Sequence, residues 1–341
     1  MFKIILVFSL ILFSSLLKAQ EYKFNLYDQE KGLSDNFINT IDQDENGYLI
    51  VGTSQGVGFY DGTEFQMMTT DDNLVDNNIS TSFKDSKGNI WFGHNQGGIT
   101  KYYDEKFEII HPGEGISSII NGIQEDSKGN IWFSTQSFGL FSRGEDNKIN
   151  FFNQKFEEKL ISSLFIDDND FLFIGVDGKL EVHKFVEGKK GKVLSKIQSI
   201  NDIGDDVVKI IKLENGRLIA ATKNTGLYAI DQKENIFVVT PINISNLNED
   251  LMIQDIYLNS GRLWISTYGS GVLRTILTNN NCFISETYTN KNGLGGDDNI
   301  QVTFIDREGV LWIGTYGNGI YSKEDNFFTL EIELMKMISR I

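Results

Sequence analysis

Between residue 20 and residue 325 the apolar positions never settle into a sustained helical period. Short apolar runs alternate instead with clusters of Gly, Asn and Asp, the pattern of many short strands joined by tight turns. The run Asp306-Arg307-Glu308-Gly309-Val310-Leu311-Trp312-Ile313-Gly314-Thr315 states the theme. Asp followed three residues later by Gly is a turn signature, because the carboxylate bonds back to nearby amides and glycine accepts positive φ. Val310 to Ile313 then reads as a strand buried on both faces, being apolar without alternation. Gly314-Thr315 and Gly317/Gly319 end it and reverse the chain.

The same pattern occurs seven times. Its turn position falls at Gly47, Gly88, Gly129, Asp170, Gly216, Gly261 and Gly309, with spacings of 41, 41, 41, 46, 45 and 48 residues. Three residues before it stand Asp44, Asp85, Asp126, Asp167 and Asp306, with Leu213 and Leu258 in the other two copies. Three residues after it stand Ile50, Trp91, Trp132, Phe173, Ile219, Trp264 and Trp312, so all four tryptophans share one slot. Two residues further on, every copy has Gly, Ala or Ser.

Upstream of each turn lies an apolar strand, such as Phe37 to Ile41 or Asn299 to Phe304. Downstream a third strand begins after a glycine, and a fourth carries a phenylalanine at Phe65, Phe107, Phe151 or Phe152, and Phe283. Four strands per repeat of this length predict a propeller blade. The expected fold is therefore all-β, a seven-bladed β-propeller of four-stranded antiparallel blades over residues 22–326. Blade 4 is the most degenerate and leads into a Lys-rich excursion (Lys184, Lys189, Lys190, Lys192, Lys196), read as an exposed hairpin. Tyr22–Leu26 is expected to complete the last blade and staple the ring, which leaves no stray edge. Residues 327–341 are expected to form a loosely held tail, the scar of a truncation.

Residues 1–19 break the pattern. Lys3 precedes an apolar core from Ile4 to Leu17, and Ala19 offers a small residue for cleavage, as in a secretory signal peptide. Loss of Lys3 and Lys18 with it moves the net charge from −16 to −18. So acidic a chain repels phosphate backbones and anionic membrane surfaces, which excludes nucleic-acid binding. Cys282 is the single cysteine, so no intrachain disulfide forms in an exported setting. No membrane span is expected after cleavage.

The repeat resembles that of the two-component regulator propeller family, in which a copy reads roughly G-L-S-x-N-x-I-x-x-I-x-x-D-x-x-G-x-L-W-I-G-T-x-x-G-L. Gly32-Leu33-Ser34-Asp35-Asn36-Phe37-Ile38-Asn39-Thr40-Ile41, followed by Asp44, Gly47, Leu49, Gly52 and Thr53, carries the resemblance, which extends over residues 22 to 325. It implies the extracytoplasmic sensor half of a hybrid histidine kinase, many of which detect products of glycan breakdown. This chain departs from that plan in having one ring and no recognisable connector, membrane helix, kinase core or receiver after Tyr321. A signalling partner would be encoded separately.

Ligands of propellers meet the mouth of the central channel. The loops leading into the innermost strands carry Asp35-Asn36, Asp76-Asn77, Ser117-Ser118, Asp205-Asp206, Glu249-Asp250 and Asp297-Asp298. The loops after the second strands carry His94-Asn95-Gln96, Gln136-Ser137-Phe138, Tyr268 and Tyr316. The acids and amides either cap turns, which is the favoured reading, or hold a divalent cation or sugar hydroxyls. Aromatic faces beside amides suit carbohydrate stacking. The ligand-binding candidates are Asp35, Asn36, Asp76, Asn77, His94, Asn95, Gln136, Tyr268 and Tyr316, and Trp91, Trp132, Trp264 and Trp312 are structural.

Asp42 to Gly47 imitates a calcium-binding loop, but Thr53 stands where the bidentate Glu is needed, so it is a hairpin turn. No catalytic motif is present. The expectation is an exported sensor module for a small polar ligand such as an oligosaccharide, not an enzyme and without a cofactor. Two alternatives stand beside it: a propeller lyase or hydrolase using His94 and a channel-mouth cation, and a protein-interaction scaffold.

Overall fold

The computed structural model describes residues 22–113, 116–152, 156, 159–188, 191–234, 236–245 and 251–324. The expected signal segment, the C-terminal tail and the Glu249-Asp250 loop lie outside the described residues. The strands form seven four-stranded antiparallel units. Each innermost strand packs against the next, and that of blade 7 (Ile300–Ile305) packs against that of blade 1 (Ile38–Gln43), which closes the ring.

The second strands are apolar because they are enclosed on both faces: Leu49–Thr53, Ile90–His94, Ile131–Thr135, Leu172–Val176 and Leu218–Thr222 are buried at every position. The small residue in each explains how closely blades stack. A Cβ on Gly52 would lie 2.7 Å from Ile79 Cγ2, and one on Gly314 would lie 2.6 Å from Ile38 Cγ2. The first residue of each following blade fills that space.

The repeated aspartate has two tasks. Asp306 Oδ1 accepts the Val310 amide (2.8 Å) and so closes the turn, while its Oδ2 accepts the indole N–H of Trp312 (2.7 Å). Asp85 holds Trp91 (2.8 Å) and Asp126 holds Trp132 (3.0 Å) in the same way. The tryptophans lie between blades: Trp312 packs with Ile41 and Leu49 of blade 1, and Trp91 with Ile123 and Ile131 of blade 3. Blade 6 has Leu258 in place of the aspartate, and there Trp264 stacks on Tyr288 with the Arg274 guanidinium above it.

All seven innermost strands share one irregularity, a bulge at their second residue. The bulge turns that side chain toward the next blade. Asn39 Nδ2 donates to Ile79 O (2.7 Å), Ser80 Oγ to Ile120 O (2.6 Å), Asn121 Nδ2 to Ile161 O, and Ser162 Oγ to Val207 O (2.9 Å). These clasps join blades 1 to 5.

The ring is closed by the N-terminal segment, as expected, but the strand starts three residues after the expected start and ends one beyond the expected end. Asn25–Tyr27 pairs antiparallel with Ile320–Glu324 as the fourth strand of blade 7. Tyr27 then reaches Trp312 and Tyr60 (ring centroids 5.6 and 5.2 Å), tying blade 7 to blade 1. Arg307 of blade 7 adds bonds to the Asp44 and Glu45 carbonyls of blade 1. The Lys-rich excursion is the long hairpin Lys179–Gly188/Gly191–Ile200. Blades 5 and 6 also join at their outer edges, where Asn243–Ser245 runs parallel to Asn281–Phe283.

Candidate functional site

The innermost strands line a central cavity of about 550 Å³. Most of its polar groups come from Asn, Ser, Thr and Gln, since those strands have one face toward water. Charge enters at one side. Lys209 of blade 5 bonds to Asp255 of blade 6 (Nζ–Oδ1 2.7 Å), and Asp42 of blade 1 lines the same space. Burial pushes the Asp42 carboxyl up to about 6, against the pull of its Gln43 amide, Lys84 and Lys209. Burial also raises Asp255, despite the Lys209 ammonium beside it. Nearby, Tyr257 donates to Ile305 O (3.2 Å), and burial raises its phenol.

At the mouth, most candidate acids and amides prove to be locks within a blade. Asp35 accepts from Ser54 and from the Asn36 amide, and Asp76 accepts the Gln96 amide (3.3 Å). Asp205 accepts the Asn224 and Thr225 amides, and Asp297 accepts from Asn318 (2.8 Å). Apart from that of the Asn36 amide, each bond ties a lead-in loop to the turn about twenty residues later. Asn36 and Asn77 accept the Gln29 and Thr70 amides of the preceding short 3₁₀ turns (3.1 and 2.8 Å). Asn95 and Gln136 keep exposed side chains on blades 2 and 3. Among the described residues no group of three acids, histidines or cysteines is placed to hold a metal.

Tyr268 and Tyr316 are brought together, with ring centroids 6.3 Å apart, and Phe37 joins them with its ring 5.0 Å from that of Tyr316. Their exposures of 46, 49 and 38 % make a continuous aromatic arc over blades 6, 7 and 1. Backbone bridges between Phe37 and Tyr316, and between Tyr268 and Asn299, fix the arc to the ring. Phe37 was not among the residues expected there. Its signal is an apolar side chain just before an innermost strand, the position that Leu160 and Met252 also occupy and leave exposed.

His94 does not reach the mouth. It ends the second strand of blade 2 with no exposed area, and its Nε2 lies 2.8 Å from Thr100 Oγ1. Burial lowers its pKa to about 4, so the ring is neutral and enclosed. His183 is buried on the third strand of blade 4 against Glu181 (2.8 Å), and His111 follows the outer strand of blade 2. Although burial works against it, bonds from His183, Lys159 and Lys196 hold the Glu181 carboxyl down at about 2. Cys282 is buried in an outer strand.

The sequence model of the two component regulator propeller matches residues 73–96, 114–137 and 293–317, so the chain carries repeats of that family. Each match spans the innermost and second strands of one blade. The fold is similar to the extracellular domains of two hybrid two component systems from B. thetaiotaomicron. One has a TM-score of 0.70 at 21 % identity over 89 % of this chain and 42 % of that one; the other has 0.67 at 16 % over 89 % and 40 %. This chain thus spans less than half the length of those domains. Virginiamycin B lyase from Staphylococcus aureus is similar at a TM-score of 0.65 and 16 % identity, over 89 % of this chain and 99 % of that one. At these identities the likeness establishes the propeller fold. No curated protein sequence matches the chain. Among the described residues no helix is long and apolar enough to cross a membrane.

Proposed function

We propose that the chain is the ligand-binding propeller of an exported, periplasmic sensor, and that it recognises an oligosaccharide at the channel mouth. The observation that carries this reading is the arc Phe37–Tyr316–Tyr268: three exposed rings in contact, beside a polar channel. Tyrosines offer an apolar face for a pyranose ring and a hydroxyl for its rim. The repeats support the sensor context, and the similar structures include extracellular domains of hybrid two component systems. Output would pass through a separately encoded partner. The lyase reading needed His94 at the mouth, and the ring is enclosed inside blade 2.

A thermal-shift screen against β-linked glucans, chitin and pectin fragments tests the proposal. A ligand at a hundred times its dissociation constant adds ~2.7 kcal/mol of stability, a shift of several degrees. The Tyr268→Ala/Tyr316→Ala double variant should keep its own melting point within a degree or two and lose the ligand-induced shift. A shift that survives in the double variant would place binding elsewhere.

A further inference from the structure

The ring is not equally satisfied all the way round. The bulge residues of blades 1 to 4 are occupied in clasping the following blade. From blade 5 the series stops: Val208 has no donor, and Gln254 and Gln301 make no such clasp among the described residues. In this half the lining carries Lys209 and Asp255, with Asp42 of the adjoining blade 1, and the aromatic arc stands over the same side, on blades 6, 7 and 1. The repeat symmetry is therefore broken twice in one sector, once in the channel and once above it.

We propose that this sector binds the amino group of an amino sugar, with Asp255 as its carboxylate partner and Asp42 adding negative charge below. The inference rests on the saccharide reading of the mouth and names the class of saccharide. Asp255 lines the cavity and is 9 % exposed; Lys209 holds its Oδ1, while its Oδ2 has no donor from the protein. Ser163, 3 % exposed and also lining the cavity, has a hydroxyl in the same condition. A buried carboxylate oxygen without a donor is costly, so an N–H group brought by a ligand gains there. Lys209 stands beside Asp255 and Lys84 acts on Asp42, so the sector is balanced in charge, and the donorless Oδ2 is what an ammonium N–H would engage. An ammonium N–H suits a single carboxylate oxygen, whereas a hard metal ion needs several oxygen ligands at once.

The reach is short. Met252, at the mouth, bonds through its carbonyl to the Tyr268 amide (2.8 Å) and precedes Asp255 by three residues, ~10 Å of strand. A sugar stacked on the arc directs its neighbour down to Asp255. Lys209 is the movable partner, since 42 % of its side chain is exposed. It can share the carboxylate or swing aside as the ligand ammonium enters, and a turn of the Asp255 carboxylate about χ2 then presents Oδ2.

Calorimetric titration at pH 7 with three β-1,4-linked disaccharides tests this: the glucosamine dimer, its N-acetylated form and cellobiose, which differ only at the 2-substituent. The amine form should bind about tenfold or more tighter than the other two, as expected of a hydrogen bond to a charged group. Asp255→Asn should reduce that preference to near unity. Equal binding of the three would overturn the inference while leaving the saccharide reading intact, and binding of none would remove both. If Asp255→Asn does not fold, Asp42→Asn serves: the amine preference should fall several-fold, and an undiminished preference counts against the proposal.

Discussion

At the residue scale, one aspartate both closes the repeat's turn and holds the tryptophan that packs between blades. The six-residue spacing places Asp306 Oδ2 on the Trp312 indole only once the hairpin has folded back, which no linear pattern displays. Asp306→Ala removes both bonds and leaves a buried N–H, so it should cost about 2–3 kcal/mol, read as a lower denaturant midpoint at unchanged m-value. His94 closes the second strand of blade 2 rather than standing in the loop after it. Five other copies carry Thr in that position, and each of Thr53, Thr135, Thr222, Thr267 and Thr315 bonds to the glycine that opens the next strand. An enclosed slot was thus readable from the repeat itself.

Three groups set the pH dependence: two core groups share one sign and one channel group has the other. The folded pKa of His94 lies near 4, below its ordinary 6.5, so the unfolded chain takes the proton first. The stability it supports is present above pH 6.5 and lost as pH falls through 4. Glu181, held at about 2, supports stability above its ordinary 4.5 that is lost as pH falls toward 2. Melting temperature should therefore drop on acidification from pH 6.5, and His94→Thr should flatten the slope between 6.5 and 4 whatever it does at pH 7. Asp42 has the reverse sign. Its folded pKa is near 6 and its ordinary value 3.8, so its contribution is present below pH 3.8 and lost as pH rises through 6. Asp42→Asn should stabilise the protein by about 1–2 kcal/mol at pH 7, with solvent in the channel keeping the gain below the full shift, and by nothing at pH 3.5. Equal melting points at pH 7 would show that the carboxylate is not strained there.

At the element scale, strand number, order and the closing strand could all be read from the repeat, because each copy must bury both faces of its second strand. The bulge was hidden, since apolar and polar residues mix freely in the innermost strands. So was the parallel pairing of Asn243–Ser245 with Asn281–Phe283, which depends on two outer strands extending to meet. Each clasp is one hydrogen bond, so Ser80→Ala should cost about 1 kcal/mol. Removing residues through Tyr27 is a larger change: it uncovers the edge of Ile320–Glu324 and one flank of Trp312. That truncation should lower the melting temperature by ten degrees or more on the scale of several lost core contacts, and should bring aggregation seen by size-exclusion chromatography. A truncated chain that melts like the full one would mean the closing strand is dispensable.

At the scale of the whole molecule, the bulge residues of blades 1 to 4 each clasp the following blade, while the lining charges and mouth aromatics gather in a sector over blades 5, 6, 7 and 1. The pattern of repeats determined the ring, but the division itself comes from departures of single copies from the repeat. Those departures gather into one sector only when the ring closes and sets blade 1 beside blades 6 and 7. The central claim is that a saccharide occupies this sector. Hydrogen–deuterium exchange, with and without a saturating β-1,4-linked oligosaccharide, tests it most directly. The account predicts slowed exchange in residues 36–42, 252–256, 266–271 and 299–304 and no change in the mouth loops of blades 2 to 4. Protection confined to blades 2 to 4 or to the outer strands, or none anywhere at saturation, would contradict it.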